Sequence, residues 1–157
     1  MEEIFIASDH AGFDLKEKVK WRFAKQMKFS DLGVFAPEPV DYPAVAASLA
    51  KKVSIGNGNK KGILICGTGI GMSIVANKFP NVRAALIYDD LSARGARQHN
   101  DANVACLGAR TMNEMLAVRL VDLFFNTDFL GNKVGEERHK NRVAQIVKIE
   151  QDNFKRP

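Results

Sequence analysis

The chain has 157 residues, the length of one ordinary domain, and 46% of them are hydrophobic, so a core of normal size forms without covalent staples. Cys66 and Cys106 are the only cysteines and both lie in apolar runs, which excludes a disulfide framework and favours a reducing compartment. The net charge is +5, but the late basic residues alternate with Glu136, Glu137, Glu150 and Asp152 and no nucleic-acid motif is present, so a small anionic substrate fits this charge better than a nucleic acid.

The start, Met1-Glu2-Glu3-Ile4, lacks the basic residues and long apolar stretch of a secretory leader, and no apolar run approaches a membrane span. The expectation is a soluble, cytoplasmic protein that binds neither membrane nor nucleic acid. Residues 4–7 read as a first strand, followed by Asp9-His10-Ala11-Gly12. Residues 13–27 have helical periodicity, with Leu15, Val19, Phe23 and Met27 on one stripe. A weak second strand is expected over 28–32. Asp41-Tyr42-Pro43 opens a helix running to about Val53, with proline near its first turn. Residues 62–65, 83–88 and 103–107 read as the third, fourth and fifth strands. Helices are expected over 91–99, 112–125 and about 136–153, the last amphipathic through Val143, Ile146, Val147 and Ile149. Trp21 and the Phe124-Phe125 pair are expected to be packing residues, and Cys106 a core residue.

Short buried strands alternating with helices predict a single three-layer α/β/α domain, Rossmann-like, over residues 1–157. In such folds ligands bind beyond the carboxyl ends of the strands. That rule groups Asp9-His10, the turn 66–71 and the turn 108–110 on one rim.

The turn 66–71 is the densest clue to chemistry. A strand ends in Cys66 and runs into Cys-Gly-Thr-Gly-Ile-Gly before a helix. A dinucleotide fingerprint needs Gly-x-Gly-x-x-Gly, but counting from Gly67 ends on Met72 and from Gly69 on Ile74. A Walker-type loop needs Gly-Lys-Ser/Thr, and Gly71 is followed by Met72-Ser73. A cysteine phosphatase loop needs an arginine where Met72 stands. What remains is a thiol beside backbone amides at a helix start, an environment that holds anions and favours a thiolate. The plainer alternative is a tight turn with an inert, buried cysteine.

Ser8-Asp9-His10-Ala11-Gly12, Asp41-Tyr42-Pro43, residues 62–78, Arg97-Gln98-His99-Asn100-Asp101, Asn103-Val104, Leu107-Gly108-Ala109-Arg110 and Arg138-His139 with Arg142-Val143 occur in one order. At that spacing the chain resembles the type B ribose-5-phosphate isomerases, whose wider family includes galactose-6-phosphate isomerase subunits. The resemblance covers residues 4 to about 150. It implies a five-stranded parallel sheet, interconversion of D-ribose 5-phosphate and D-ribulose 5-phosphate, and no metal or organic cofactor. It also implies a homodimer or homotetramer with the active site at the subunit boundary and the C-terminal helix packed on a partner subunit.

The same resemblance implies roles for individual residues. Cys66 is the expected base that moves a proton between carbons 1 and 2, a task for the thiolate. The amides of Gly67, Thr68, Gly69, Ile70 and Gly71, with the Thr68 hydroxyl, are expected to hold the enediolate oxygen. His99 is the expected ring-opening acid and base, Asn100 and Asp9 ligands of sugar hydroxyls, and His10 a residue near the phosphate. Arg110, Arg138 and Arg142 are the expected phosphate ligands; the last two stand four apart, on one helix face. Taken without the resemblance, Asp9 is a good helix cap, His99 a histidine at a helix end, and Arg138 and Arg142 a solvated basic face. His139 has no assigned role. The 126–137 segment is longer than the family's usual approach to its arginine pair. Other readings are a six-carbon sugar phosphate (allose or galactose 6-phosphate) as substrate, Cys66 as a nucleophile in acyl or phosphoryl transfer, and a non-catalytic sugar-phosphate-binding module.

Overall fold

The computed structural model describes residues 3–56 and 59–154. In chain order the elements are β1 (Glu3–Ser8), a 3-10 turn (His10–Gly12), α1 (Phe13–Phe23), β2 (Lys28–Asp31), α2 (Tyr42–Ser54), β3 (Lys61–Cys66) and α3 (Ile70–Ala76). They continue with β4 (Ala84–Leu86), α4 (Asp90–Gln98), β5 (Val104–Gly108), α5 (Glu114–Phe125), a second 3-10 turn (Leu130–Asn132) and α6 (Glu137–Phe154). The five strands form one sheet in the order β2-β1-β3-β5-β4, and every pairing is parallel.

Alternate residues of the central strands feed two cores. Ile4, Ile6, Ile63, Ile65, Ala105 and Leu107 pack against Leu15, Val19 and Phe23 of α1, Ala93 of α4 and Leu120 and Phe124 of α5. Phe5, Ala7, Leu64 and Cys106 pack against Leu49 and Val53 of α2 and Met72 and Ala76 of α3. The expected three-layer α/β/α arrangement is therefore present, with helices on both faces. Among the described residues no helix is long and apolar enough to cross a membrane.

Three details depart from the sequence reading. The apolar stripe of α1 runs on to Met27, but the helix ends at Phe23. There the chain tightens into a turn, with Gln26 and Met27 amides donating to the Phe23 carbonyl, both at 2.9 Å. Met27 still packs on the core from that turn, which is why the periodicity outlives the helix. Trp21 is not a packing residue but is 78% exposed, because it stands about 200° around the helix from Val19. β4 is shorter than expected. It is an edge strand, and beyond it the Asn77 side chain pairs with both the N–H and the C=O of Ala84, each at 2.9 Å, in place of a sixth strand.

Charge also enters the interior. Lys16 of α1 is fully buried, and its Nζ donates to both Asp31 carboxylate oxygens at 2.8 Å and to the Val34 carbonyl at 2.7 Å. Lys20 adds a third donor to Asp31 at 2.6 Å. This knot ties α1 to the end of β2 and to the start of the loop bordering the strand ends. Burial by itself raises the Asp31 carboxyl; the hydrogen bonds from Lys16 and Lys20 outweigh it and hold the group below its ordinary range. Because the folded-state value is the lower one, the stability this carboxylate contributes is complete above the unfolded value and is lost as pH falls through the folded one. Asp31→Asn, which leaves the buried Lys16 without its counter-charge, is expected to lower stability by about 3 kcal/mol in urea unfolding at pH 7. The gap to the wild type should close on acidification well below the ordinary carboxylate pKa; a gap unchanged in acid would contradict the ion-pair account.

Candidate active site

The strand order places a crevice between β1 and β3. The connection after β1 leads outward to β2, while β3 is followed by strands on the other side, so nothing bridges the gap between their carboxyl ends. Ser8 is opposite Ile65 in the register, and the Asp9 amide donates to the Ile65 carbonyl at 3.1 Å, extending the ladder by one residue. Asp9 is thereby fixed beside Cys66. One Asp9 oxygen accepts from the Gly12 amide at 3.0 Å, so the capping role and a place on the rim coexist in one carboxylate. His10 accepts from the Val40 amide on Nδ1 at 3.3 Å, which leaves Nε2 to carry the proton of the neutral ring.

Cys66 ends β3 and is 5% exposed. The Gly69 amide donates to its sulfur at 3.1 Å, an interaction that a thiolate accepts better than a thiol. That geometry needs Gly69 in the left-handed region, at φ 76°, before α3 begins. A side chain there would also strike Leu86 and the Leu107 backbone. At Gly71 an added Cβ would fall 2.5 Å from the Tyr42 ring. Tyr42, the first residue of α2, thus closes over the amide turn. Thr68 is exposed, and its hydroxyl accepts from the Ile70 amide at 3.4 Å. From the neighbouring strand, the Arg110 amide donates to the Gly67 carbonyl at 2.9 Å and its exposed side chain crosses Gly67. Asp9, His10, residues 66–71 and Arg110 therefore share one rim. Cys106, by contrast, is fully buried, and burial pushes its thiol well up, in keeping with a core role.

His99 and Asn100 are elsewhere. α4 starts at the rim after β4 and runs back along the sheet, so its last turn reaches the starts of the strands. Asn100 lies beside Arg83, which immediately precedes β4, and the Arg83 Nε donates to the Asn100 carbonyl at 3.1 Å. Val104 to Gly108 then carries β5 about 13 Å to the Cys66 end of the sheet. Within one chain, the thiol and the candidate ring-opening histidine are at opposite ends.

The turn that carries His99 and Asn100 is clamped. Asp101 has a positive φ of 45° and accepts from Arg97 at 2.8 Å and Arg83 at 2.9 Å, one on each carboxylate oxygen. Arg97 also donates to the Ala102 carbonyl at 2.6 Å, and Arg83 Nε to the Asp101 carbonyl at 2.9 Å. His99 is exposed on one side and stacked on the other against His139 of α6, with ring centroids 4.6 Å apart and planes 11° from parallel. Arg138 and Arg142 are exposed on α6, and Arg138 pairs with Glu136 at 2.7 Å. The stack makes His99, Asn100 and the arginine-bearing helix a second cluster.

Tyr42, His139 and the Arg83–Asp101–Arg97 clamp were not among the residues expected at the site. Arg97 and Asp101 stand four apart, a spacing that signals an ion pair on a helix. The closure of Tyr42 on Gly71 and the stack of His139 on His99 join segments distant in sequence and leave no local pattern. Among the described residues, no group of three or more His, Cys, Asp or Glu side chains could hold a metal ion.

Comparison with known proteins agrees with this architecture. A profile of the ribose/galactose isomerases matches residues 4–146. Ribose-5-P isomerase B of Listeria innocua is 41% identical over 152 residues, which are 96% of this chain and 99% of the relative. The structure of Clostridium thermocellum ribose-5-phosphate isomerase B superposes with a TM-score of 0.88 at 39% identity, covering 96% of this chain and 99% of that one. Mycoplasma genitalium ribose-5-phosphate isomerase B with bound ribulose-5-phosphate gives a TM-score of 0.87 at 39% identity, over 95% and 96% of the two chains.

The clamp offers a direct test of the second cluster. Asp101→Ala strands two largely buried guanidinium groups and is expected to lower stability by about 2–3 kcal/mol in chemical denaturation. Loss below about 0.5 kcal/mol, the scale of an exposed pair, would show that the turn does not depend on the clamp.

Proposed function

The chain belongs to the ribose/galactose isomerase family, and from that premise we propose that it interconverts D-ribose 5-phosphate and D-ribulose 5-phosphate in the non-oxidative branch of the pentose phosphate pathway, without metal or organic cofactor. The observation that carries this reading is the Cys66 sulfur, held by the Gly69 amide at a rim shared with Asp9 and Arg110. The two free, unbridged thiols suit the reducing cytoplasm, where we expect the enzyme to work.

Ring opening comes first. The anomeric hydroxyl gives up a proton, the bond from carbon 1 to the ring oxygen breaks as the carbonyl forms, and the ring oxygen takes a proton. His99 is the group that accepts and returns it. The Cys66 thiolate then takes the proton from carbon 2 and delivers it to carbon 1, while the hydroxyl proton passes from the oxygen on carbon 2 to that on carbon 1. The amides of residues 67–71 and the Thr68 hydroxyl are the groups assigned to the oxygen on which charge develops, the Gly69 and Ile70 amides sharing their protons with the Cys66 sulfur and the Thr68 oxygen. Asp9 and Asn100 bind sugar hydroxyls. His10, Arg110, Arg138 and Arg142 bind the phosphate, where paired guanidinium groups match a dianion.

Because Cys66 and His99 are at opposite ends of one sheet, both reach one substrate only if the second cluster comes from another copy. We therefore propose a homodimer, or a tetramer of such dimers, with each site completed across the boundary. The exposed apolar residues of α6, Ile146, Ile149 and Phe154, support the same arrangement.

Cys66→Ala is expected to lower turnover of ribose 5-phosphate by about a hundredfold or more, the scale of a general base. Wild-type enzyme in D2O should place deuterium at carbon 1 of ribulose 5-phosphate, and should prefer ribose 5-phosphate to allose or galactose 6-phosphate. Near-normal turnover of the variant would sink the mechanism. Mixing tests the boundary. Cys66→Ala and His99→Asn chains, each nearly inactive alone, should on co-refolding recover roughly a quarter of wild-type activity, since half of the dimers are mixed and each has one intact site. No recovery would mean that the two residues serve the same chain's site.

A further inference from the structure

The reaction as described gives His139 no work, yet its placement is specific. It is 4% exposed, and neither ring nitrogen makes a hydrogen bond among the described residues. Glu136 lies close, with a carboxylate oxygen 3.2 Å from Nε2 but not aligned for a hydrogen bond. A buried imidazole without partners carries a desolvation cost that an aliphatic side chain would not. What His139 does contact is the face of His99, ring on ring.

Building on the reading of His99 as the ring-opening group, we propose that His139 is its positioning residue. The flat stack holds the exposed His99 ring in one orientation and stabilises the imidazolium that forms when His99 takes the sugar's hydroxyl proton. Two features of the molecule make this work. First, the Arg83–Asp101–Arg97 clamp already fixes the main chain of the turn, so the remaining freedom lies in the His99 side chain. A stacked partner removes that freedom before substrate arrives. Second, an aromatic face attracts a cation provided the ring is itself uncharged. Burial, then the neighbouring Arg138, then His99 and Arg142 disfavour the charged form of His139, with only Glu136 acting the other way. His99 therefore gains its proton against a neutral ring rather than against a second positive charge.

The test separates ring opening from proton transfer. Ribose 5-phosphate is a closed ring, whereas ribulose 5-phosphate has its carbon-5 oxygen blocked and stays open. Enzyme-catalysed exchange of the carbon-1 hydrogens of ribulose 5-phosphate with D2O thus needs Cys66 but no ring chemistry. In His139→Ala, turnover of ribose 5-phosphate should fall about tenfold or more, part of the ~10²–10⁴ that general acid–base catalysis supplies, while exchange stays within about twofold. His139→Phe, which restores a flat ring, should recover most of the turnover. The proposal is overturned if turnover is unchanged in His139→Ala, if turnover and exchange fall together, or if Phe is no better than Ala. Should the Ala variant fail to fold, Phe is compared with His139→Gln, which fills the space without a ring; equal activities overturn the proposal. His99→Asn is the control for the reading beneath it. If His99→Asn leaves ribose 5-phosphate turnover intact, the ring-opening role of His99 itself is wrong; if it abolishes turnover while His139→Ala does not, only the positioning role fails.

Discussion

All strands of the sheet run the same way, and the distribution of chemistry over the molecule follows from that constraint. A parallel sheet presents the residues after its strands on one rim and the residues before them on the other, separated by the length of a strand. Asp9 follows β1, Cys66 ends β3 and Arg110 follows β5, so they converge although just over a hundred positions separate the first from the last. The turn at 99–101 precedes β5 and is held at the opposite edge by Arg83, which precedes β4. No rearrangement of side chains spans that distance within one fold.

The fold was largely legible because its determinants are local and repeated. Leu15, Val19 and Phe23 marked the buried side of α1, and the apolar run 62–65 marked a strand covered on both faces; both are built that way. Where the reading slipped, a tertiary contact had replaced a local one. Met27 keeps its helical spacing because a turn presents it to the core, and on the open edge of β4 a side-chain amide from Asn77, pairing with Ala84, stands where a neighbouring strand would. Trp21 shows the other limit: size and apolarity suggested burial, but its angular position on the helix decided the outcome.

The candidate site was legible in proportion to how much of it is main chain. The glycines at 67, 69 and 71 announce a backbone turn after the strand, and in the structure the Gly69 amide donates to the Cys66 sulfur. Asp9 and Arg110 were reachable through the rule that strand ends share a rim. His99 and the arginines of α6 carried no such geometric warrant, because their neighbours lie in other segments: Asp101 with Arg83 and Arg97, His139 with His99. A stack between residues 99 and 139 has no signature in either stretch of sequence.

The two clusters also differ in how the chain supports them. The Cys66 turn rests on the core, with Met72 and Cys106 fully buried around it, and its geometry is complete in a single copy. The second cluster rests on α6, whose principal packing partner within the chain is the short turn Leu130–Asn132 and whose apolar residues Ile146, Ile149 and Phe154 remain about half exposed. Such a helix lacks the buried face that holds a helix in place. In the proposed dimer the surface that anchors α6 is the surface that carries Arg138, Arg142 and the His99–His139 stack to the neighbouring thiol. Stability of the last helix and completion of the site then depend on the same contact, so an isolated chain would lack both.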